Sequence, residues 1–236
     1  MNVNRAFSPL CVILSASNLV LTTLLLNKYV VENIMNSERL GEFEQYFQIN
    51  ESIRVNLFPV STGQVPKSQL ELEDDIPPLF RLANEVSELE QSSLRPLRNL
   101  GDIAQELATF LQAQSRKIDL IMSHILASEQ AQDNAIQCDS YGGGGIRFTS
   151  PEVHSIGQAF RTKLFLHHEA SAVYCYTEVV AVEKQDSEHY QYTMLFTAIR
   201  TTDQELIVRA SLHAQTRQLK KRQELDQNRG DLNSDN

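Results

Sequence analysis

Apolar residues return every second position in some stretches of this chain and every third or fourth in others. The switches between the two periods divide it into segments. From Glu44 to Val60 the sequence EQYFQINESIRVNLFPV alternates, with Ile53, Val55 and Leu57 on one side and Arg54, Asn56 and Phe58 on the other. That period predicts a short strand, stopped by Pro59 and the turn-forming STGQVP. The acidic ELEDDIPP then predicts a helix start, with Asp74 or Asp75 near the cap and prolines in its first turn.

Between Leu79 and Ala127 the period changes to that of a coiled coil. Leu79, Leu82, Val86 and Leu89 form a first stripe, and Pro96 marks a kink or break. Leu97, Leu100, Ile103, Leu107, Leu111, Gln114, Ile118, Ile121 and Ile125 form a second, with Gln114 as a polar insertion. Phe110, Leu120, Met122 and Leu126 widen the stripe beyond a two-stranded seam, so more than one partner face is expected. Self-association through Leu100, Ile103, Leu107, Leu111, Ile118, Ile121 and Ile125 is the leading reading. A helical hairpin packed on its own domain is the other.

Beyond Asp133 the two-residue period returns in IRF, AFRTKLFLHH, SAVYCYTEVVAVE and HYQYTMLFTAI, the last with Tyr190, Tyr192, Met194 and Phe196 in alternation. Short strands separated by turns predict a small antiparallel barrel or sandwich. A final helix is expected from TTDQELIVRASLHAQTRQLKKRQ, with Thr202 and Glu205 as a capping box. The expected fold class is therefore α+β, a long heptad-bearing helical region followed by a small β-barrel and a C-terminal helix. The expected organisation is an apolar extension over 1–34, a segment with a strand over 35–75, a helical oligomerisation region over 76–130, a barrel plus helix over 133–222, and a polar, disordered tail over 223–236.

The extension lacks charge from Ala6 to Asn27 and ends in the apolar LVLTTLLL. Residues 6–27 fit a signal peptide or membrane anchor, although Ser15, Ser17, Asn18, Thr22 and Thr23 dilute the run. Translation beginning at Met35 is the preferred reading, because MNSERLGEFEQYF starts an ordinary amphipathic sequence.

Composition narrows the function classes. A net charge of −9 argues against nucleic acid as a partner, which calls for a basic face. Cys11, Cys138 and Cys175 are widely spaced, so a disulfide framework and a zinc site are disfavoured and a reducing, cytoplasmic setting fits. His167 and His168 are adjacent on an expected strand and would point to opposite faces, which suits no metal. Cys175 between Tyr174 and Tyr176 reads as a barrel position rather than a nucleophile. With no G-x-S-x-G elbow and no H-x-x-x-H motif, neither an enzyme nor a cofactor is expected.

Four consecutive glycines, Gly142 to Gly145, remain. No G-K-[ST] follows them, and they open onto a strand rather than a helix N-terminus, so they do not form a phosphate loop. Their expected role is backbone geometry, positive φ and close approach between neighbouring strands.

GGIRFTSPEVHSIGQAFRTKLFL, Gly144 to Leu166, followed by TEVVAVE, resembles the PilZ domain. The heptad helix ahead of the barrel and the helix ELIVRASLHAQTRQLKKR behind it are similar to the atypical, tetramer-forming branch of that family. The resemblance implies a non-enzymatic receptor or adaptor in cyclic di-GMP-controlled motility, attachment or virulence. It also implies a homotetramer, and protein partners in a motility or secretion apparatus. PilZ domains hold cyclic di-GMP with R-x-x-x-R ahead of the barrel and [DN]-x-S-x-x-G on its turn, guanidinium forks gripping phosphate and guanine edges. Here Arg95 and Arg98 are three apart, and of the turn motif Gly145 alone falls in register, with Asp139 and Ser140 adjacent instead of spaced. The resemblance thus implies Asp139, Ser140, Gly145 and Arg147 as ligand contacts, with Arg147 or the cluster Arg217–Arg222 supplying cations. The alternative is a ligand-free homo-oligomeric scaffold.

Overall fold

A computed structural model of the chain describes residues 38–85, 102–130 and 134–234. The anchor or start at residues 6–35, the kink at Pro96 and the stripe residues from Val86 to Leu100 lie outside the described residues.

The elements run in order α1 (38–44), β1 (Gln48–Ile49), β2 (Arg54–Val60), a 3-10 turn (Thr62–Gln64), α2 (Gln69–Asp75), α3 (78–85, where the description stops), α4 (Asp102–Gln130), β3 (Ala135–Gly142), β4 (Gly145–Ser150), β5 (Ala159–Leu166), a 3-10 turn (His167–Glu169), β6 (Ser171–Lys184), β7 (Tyr190–Ala198) and α5 (Thr201–Ser234). All strand pairs are antiparallel. Following hydrogen bonds around the sheet gives β3-β2-β5-β6-β7-β4, and a β3–β4 pairing closes the ring into a six-stranded barrel. β1 and β2 lie end to end along one edge of β3, Gln48 opposite Gly142 and Arg54 opposite Gln137.

Alternation decides what fills the barrel. Val55 and Leu57, Ile146 and Phe148, Val173 and Cys175, Tyr192 and Met194 all point inward. One end is plugged by Leu206, Ile207, Ala210 and Ala214 of α5, a helical spacing of one, three and four. On the outer face, Phe165, Ala172, Tyr174 and Tyr176 pack against Leu72 and Ile76, Phe80 of α3 and Leu126 of α4. A separate outer cluster joins Phe43 of α1 to Val180 and Leu195.

Four expectations need correction. The helix near ELEDDIPP precedes the prolines: Ser68 caps α2 by accepting from the Glu71 amide at 3.2 Å, and Pro77 ends that turn before Pro78 opens α3. Asp75 is thus the last residue of α2 and caps nothing. His167 and His168 occupy a 3-10 turn, not a strand, because the chain reverses there through Ala170 in the left-handed region. α5 begins at Thr201, which puts Thr202 inside the first turn. Asp203 anchors that turn, accepting from Arg200 at 2.8 and 2.9 Å and from the Asn84 amide. The helix continues to Ser234 across the stretch expected to be a disordered tail.

Candidate functional site

The two places singled out by the sequence, the glycine turn and the face of α4, differ in what they leave open. At the turn, β3 and β4 form a hairpin with Gly142 opposite Gly145 and Ser140 opposite Arg147, the register slipping between Cys138 and Ser140. The glycines are required by proximity. A Cβ on Gly142 would overlap the Phe47 carbonyl, and one on Gly145 would overlap the Met194 carbonyl. Close approach between backbone segments is thus the role of the run, and Gly145 also has positive φ.

The expected ligand contacts around this turn are engaged within the protein. Asp139 accepts from Thr149 Oγ1 at 2.7 Å. Ser140 is buried. Arg147 donates through Nε to Thr193 Oγ1 at 3.2 Å, and its guanidinium lies over the ring of Phe43. Helix α1 therefore covers the outer face on which Ser140, Arg147 and Thr193 stand in register. Phe43 was missed from the sequence. Its signal is the i, i+3 pair Leu40 and Phe43 in an otherwise polar segment.

A polar clasp ties α5 to β3 and to the segment ahead of β2. Glu51 accepts from Tyr141 Oη at 2.8 Å and from Arg217 at 3.1 and 3.3 Å. Glu169 meets His213 Nδ1 at 3.1 Å and Arg217 at 3.9 Å. Burial, then the hydrogen bond to Glu51, pushes the Tyr141 hydroxyl well above its usual range. Arg217 is thereby committed to holding α5 against the barrel. Burial also lowers His167 below the usual imidazole value, helped by His168 and Arg54. Among the described residues no group of three His, Cys, Asp or Glu side chains could hold a metal ion. No helix among them is long and apolar enough to cross a membrane.

Helix α4 presents the opposite situation. Met122, Leu126 and Gln130, four residues apart, are buried against the barrel, and Lys163 pairs with Glu129 at the same foot. The predicted stripe lies about a quarter turn around the helix from that contact at 3.6 residues per turn. Its members are open to solvent: Leu107 is 50 % exposed, Ile118 43 % and Ile121 60 %, with Leu111 and Ile125 alongside. Phe110 and Leu120 are exposed as well. Ile103 lies near the start of α4, and Leu100 lies outside the described residues.

No family model and no curated protein matches the sequence. Among solved structures, the chain is similar to a pathogenic protein from Xanthomonas campestris, a tetrameric PilZ domain self-assembled through a helical bundle. The identity is 18 % and the TM-score 0.47, over 76 % of this chain and 95 % of that one. It is also similar to the Bacillus subtilis inhibitor of motility, at 17 % identity and a TM-score of 0.32, over 36 % of this chain and 44 % of that one. The chain thus matches less than half the length of the Bacillus protein. PilZ is the family that residues 144–166 resemble.

Proposed function

We propose that this chain is a PilZ-like, non-enzymatic adaptor that self-associates through α4, as a tetramer, and acts by protein contacts. Its setting, cyclic di-GMP-controlled motility, attachment or virulence, comes from the family resemblance, as do partners in a motility or secretion apparatus. One observation carries the reading: the apolar stripe Leu107, Leu111, Ile118, Ile121 and Ile125, with Phe110 and Leu120 beside it, puts seven exposed large apolar side chains on the single helix α4. Burying each such side chain is worth roughly 1.5–3 kcal/mol, so copies of the helix have a strong reason to meet. Action through protein contacts is supported by the turn, where Asp139 and Arg147 already have partners in the same chain.

Light scattering on the intact chain and on a Leu107→Asp, Ile118→Asp double variant tests this. The intact chain is expected as a tetramer and the variant as a folded monomer, since an unpaired carboxylate in an apolar seam is costly. An unchanged mass with native circular dichroism would refute the helical assembly. Calorimetry with cyclic di-GMP tests the mode of action. Micromolar binding that is weakened by Ser140→Ala and Arg147→Ala would restore a receptor role at the turn.

A further inference from the structure

Many cations on this fold have a committed partner. Arg39 pairs with Glu178, Lys163 with Glu129, Arg200 with Asp203 and Arg217 with Glu51. Arg147 lies on Phe43. Lys221 and Arg222, one turn beyond Arg217 on α5, have no hydrogen-bond or ion-pair partner among the described residues. They line a groove of about 470 Å³ between α5 and the segment Phe47–Asn50. Two unpaired cations side by side on an otherwise acidic chain make a local anion site.

The rest of the groove adds shape to that charge. Phe47, 48 % exposed, lines it, and Leu219 and Leu225 of α5 offer apolar surface. Gln48 is the unusual member. Both its amide atoms are buried and have no hydrogen-bond partner. The side chain lies where a Cβ on Gly142 would be, 2.7 Å from the amide nitrogen. A buried amide without partners is unfavourable and gains from any change that gives it one. Turned outward, Gln48 would bring both a donor and an acceptor to a ligand in the groove.

We infer that this groove binds an organic phosphate carrying a flat heteroaromatic ring, of nucleoside monophosphate size. The ring stacks on Phe47 between Leu219 and Leu225, Lys221 and Arg222 hold the phosphate, and Gln48 reads the ring edge. Stacking on an aromatic side chain combined with a guanidinium on a phosphate is a sufficient recognition set for this class. The volume is that of a small-molecule site. None of these residues belongs to the turn at Asp139–Arg147, although Phe47 and Gln48 abut that turn at Gly142.

Calorimetric titration of the full chain with GMP, AMP, guanosine and inorganic phosphate tests the inference. One of the two nucleotides is expected to bind at least about tenfold more tightly than guanosine and than inorganic phosphate, and more weakly as salt is raised. Phe47→Ala and Arg222→Ala should each weaken it about tenfold or more while leaving the circular dichroism spectrum and oligomeric mass unchanged. Arg222 is solvent-exposed, so its variant remains decisive should Phe47→Ala disturb folding. The inference is overturned if neither nucleotide binds at millimolar concentration, if inorganic phosphate or guanosine binds as well as the nucleotides, or if Arg222→Ala binds like the intact chain.

Discussion

The guanidinium of Arg147 lies over the ring of Phe43, its Cζ 4.9 Å from the ring centre. This contact ties α1 to β4 and gives an intramolecular role to an arginine that the family resemblance would assign to a ligand. Phe43 is fully buried among Leu40, Val180 and Leu195, whereas Arg147 is half-buried.

The two residues should therefore differ in what they contribute. Phe43→Ala should destabilise the fold by about 3–5 kcal/mol through lost burial and a residual cavity. Arg147→Ala should cost about 1 kcal/mol, the size of a partly exposed cation–π contact with one hydrogen bond. Urea unfolding of both variants measures the difference. Equal losses would show that the arginine, not the ring, anchors α1.

Glycine substitutions should separate necessity from mere flexibility. Gly145→Val and Gly142→Ala force atoms into backbone carbonyls and are expected to lower stability by several kcal/mol, roughly the upper range for single substitutions. At Gly63 a Cβ meets nothing within 4 Å, so Gly63→Ala should stay within about 0.5 kcal/mol of the intact chain. Thermal unfolding of the three proteins is sufficient. A harmless Gly145→Val would remove close approach as the reason for the run.

Asp75 should behave as an anchor for two tyrosines rather than as a helix cap. Its Oδ2 accepts from Tyr174 and Tyr176, each at 2.6 Å, which fastens the end of α2 to β6. Asp75→Ala should cost about 1.5–3 kcal/mol, the range for hydrogen bonds to a charged group. In a double-mutant cycle with Tyr174→Phe the losses should be less than additive, because both remove the same bond. Additive losses would mean that the pairing contributes nothing.

Much of this architecture is legible from period alone. The strands β4 to β7 and the face of α4 follow from alternation and from heptad spacing, because each is decided by neighbours two, three or four residues away. β3 is not legible in that way. Its sequence AIQCDSYG mixes polar residues on both faces, since Asp139 falls at a register slip and Ser140 is buried beneath α1. The covering of the turn by Phe43 and the attachment of Asp75 to tyrosines about a hundred positions along are contacts between remote segments. No local pattern encodes them. Lys221 and Arg222 were visible as a basic cluster, but nothing in the sequence separates them from Arg217, which the fold consumes in a clasp with Glu51.

Alkaline pH should weaken the fold through a buried thiol. Burial, supported by Asp139 and Glu51, pushes Cys138 from an ordinary 9.0 up to about 12. Between those values the unfolded chain releases the proton and the folded chain keeps it. The associated stability is therefore complete below pH 9 and is lost as pH rises from 9 towards 12, at about 1.4 kcal/mol per pH unit. Cys175 and the hydroxyls of Tyr141, Tyr174 and Tyr176 shift the same way, so they add to the fall. Urea midpoints across the alkaline range, with Cys138→Ala for comparison, test this. A Cys138→Ala variant with the same slope as the intact chain would exclude the thiol.

Closure of the barrel also fixes an order of events in folding. β2 must find β3 to complete the ring, and Arg54 opposes Gln137 with the whole helical region lying between them in sequence. Closing so long a loop is slow, while the hairpin β3–β4 and the ladder β5-β6-β7 need only short ones. The five later strands, β3 to β7, can therefore assemble first and wait, as an open sheet, for β2 to return. During that wait the edges of β3 and β5 that β2 will fill are unpaired, the moment at which the chain is most exposed to mispairing with another copy.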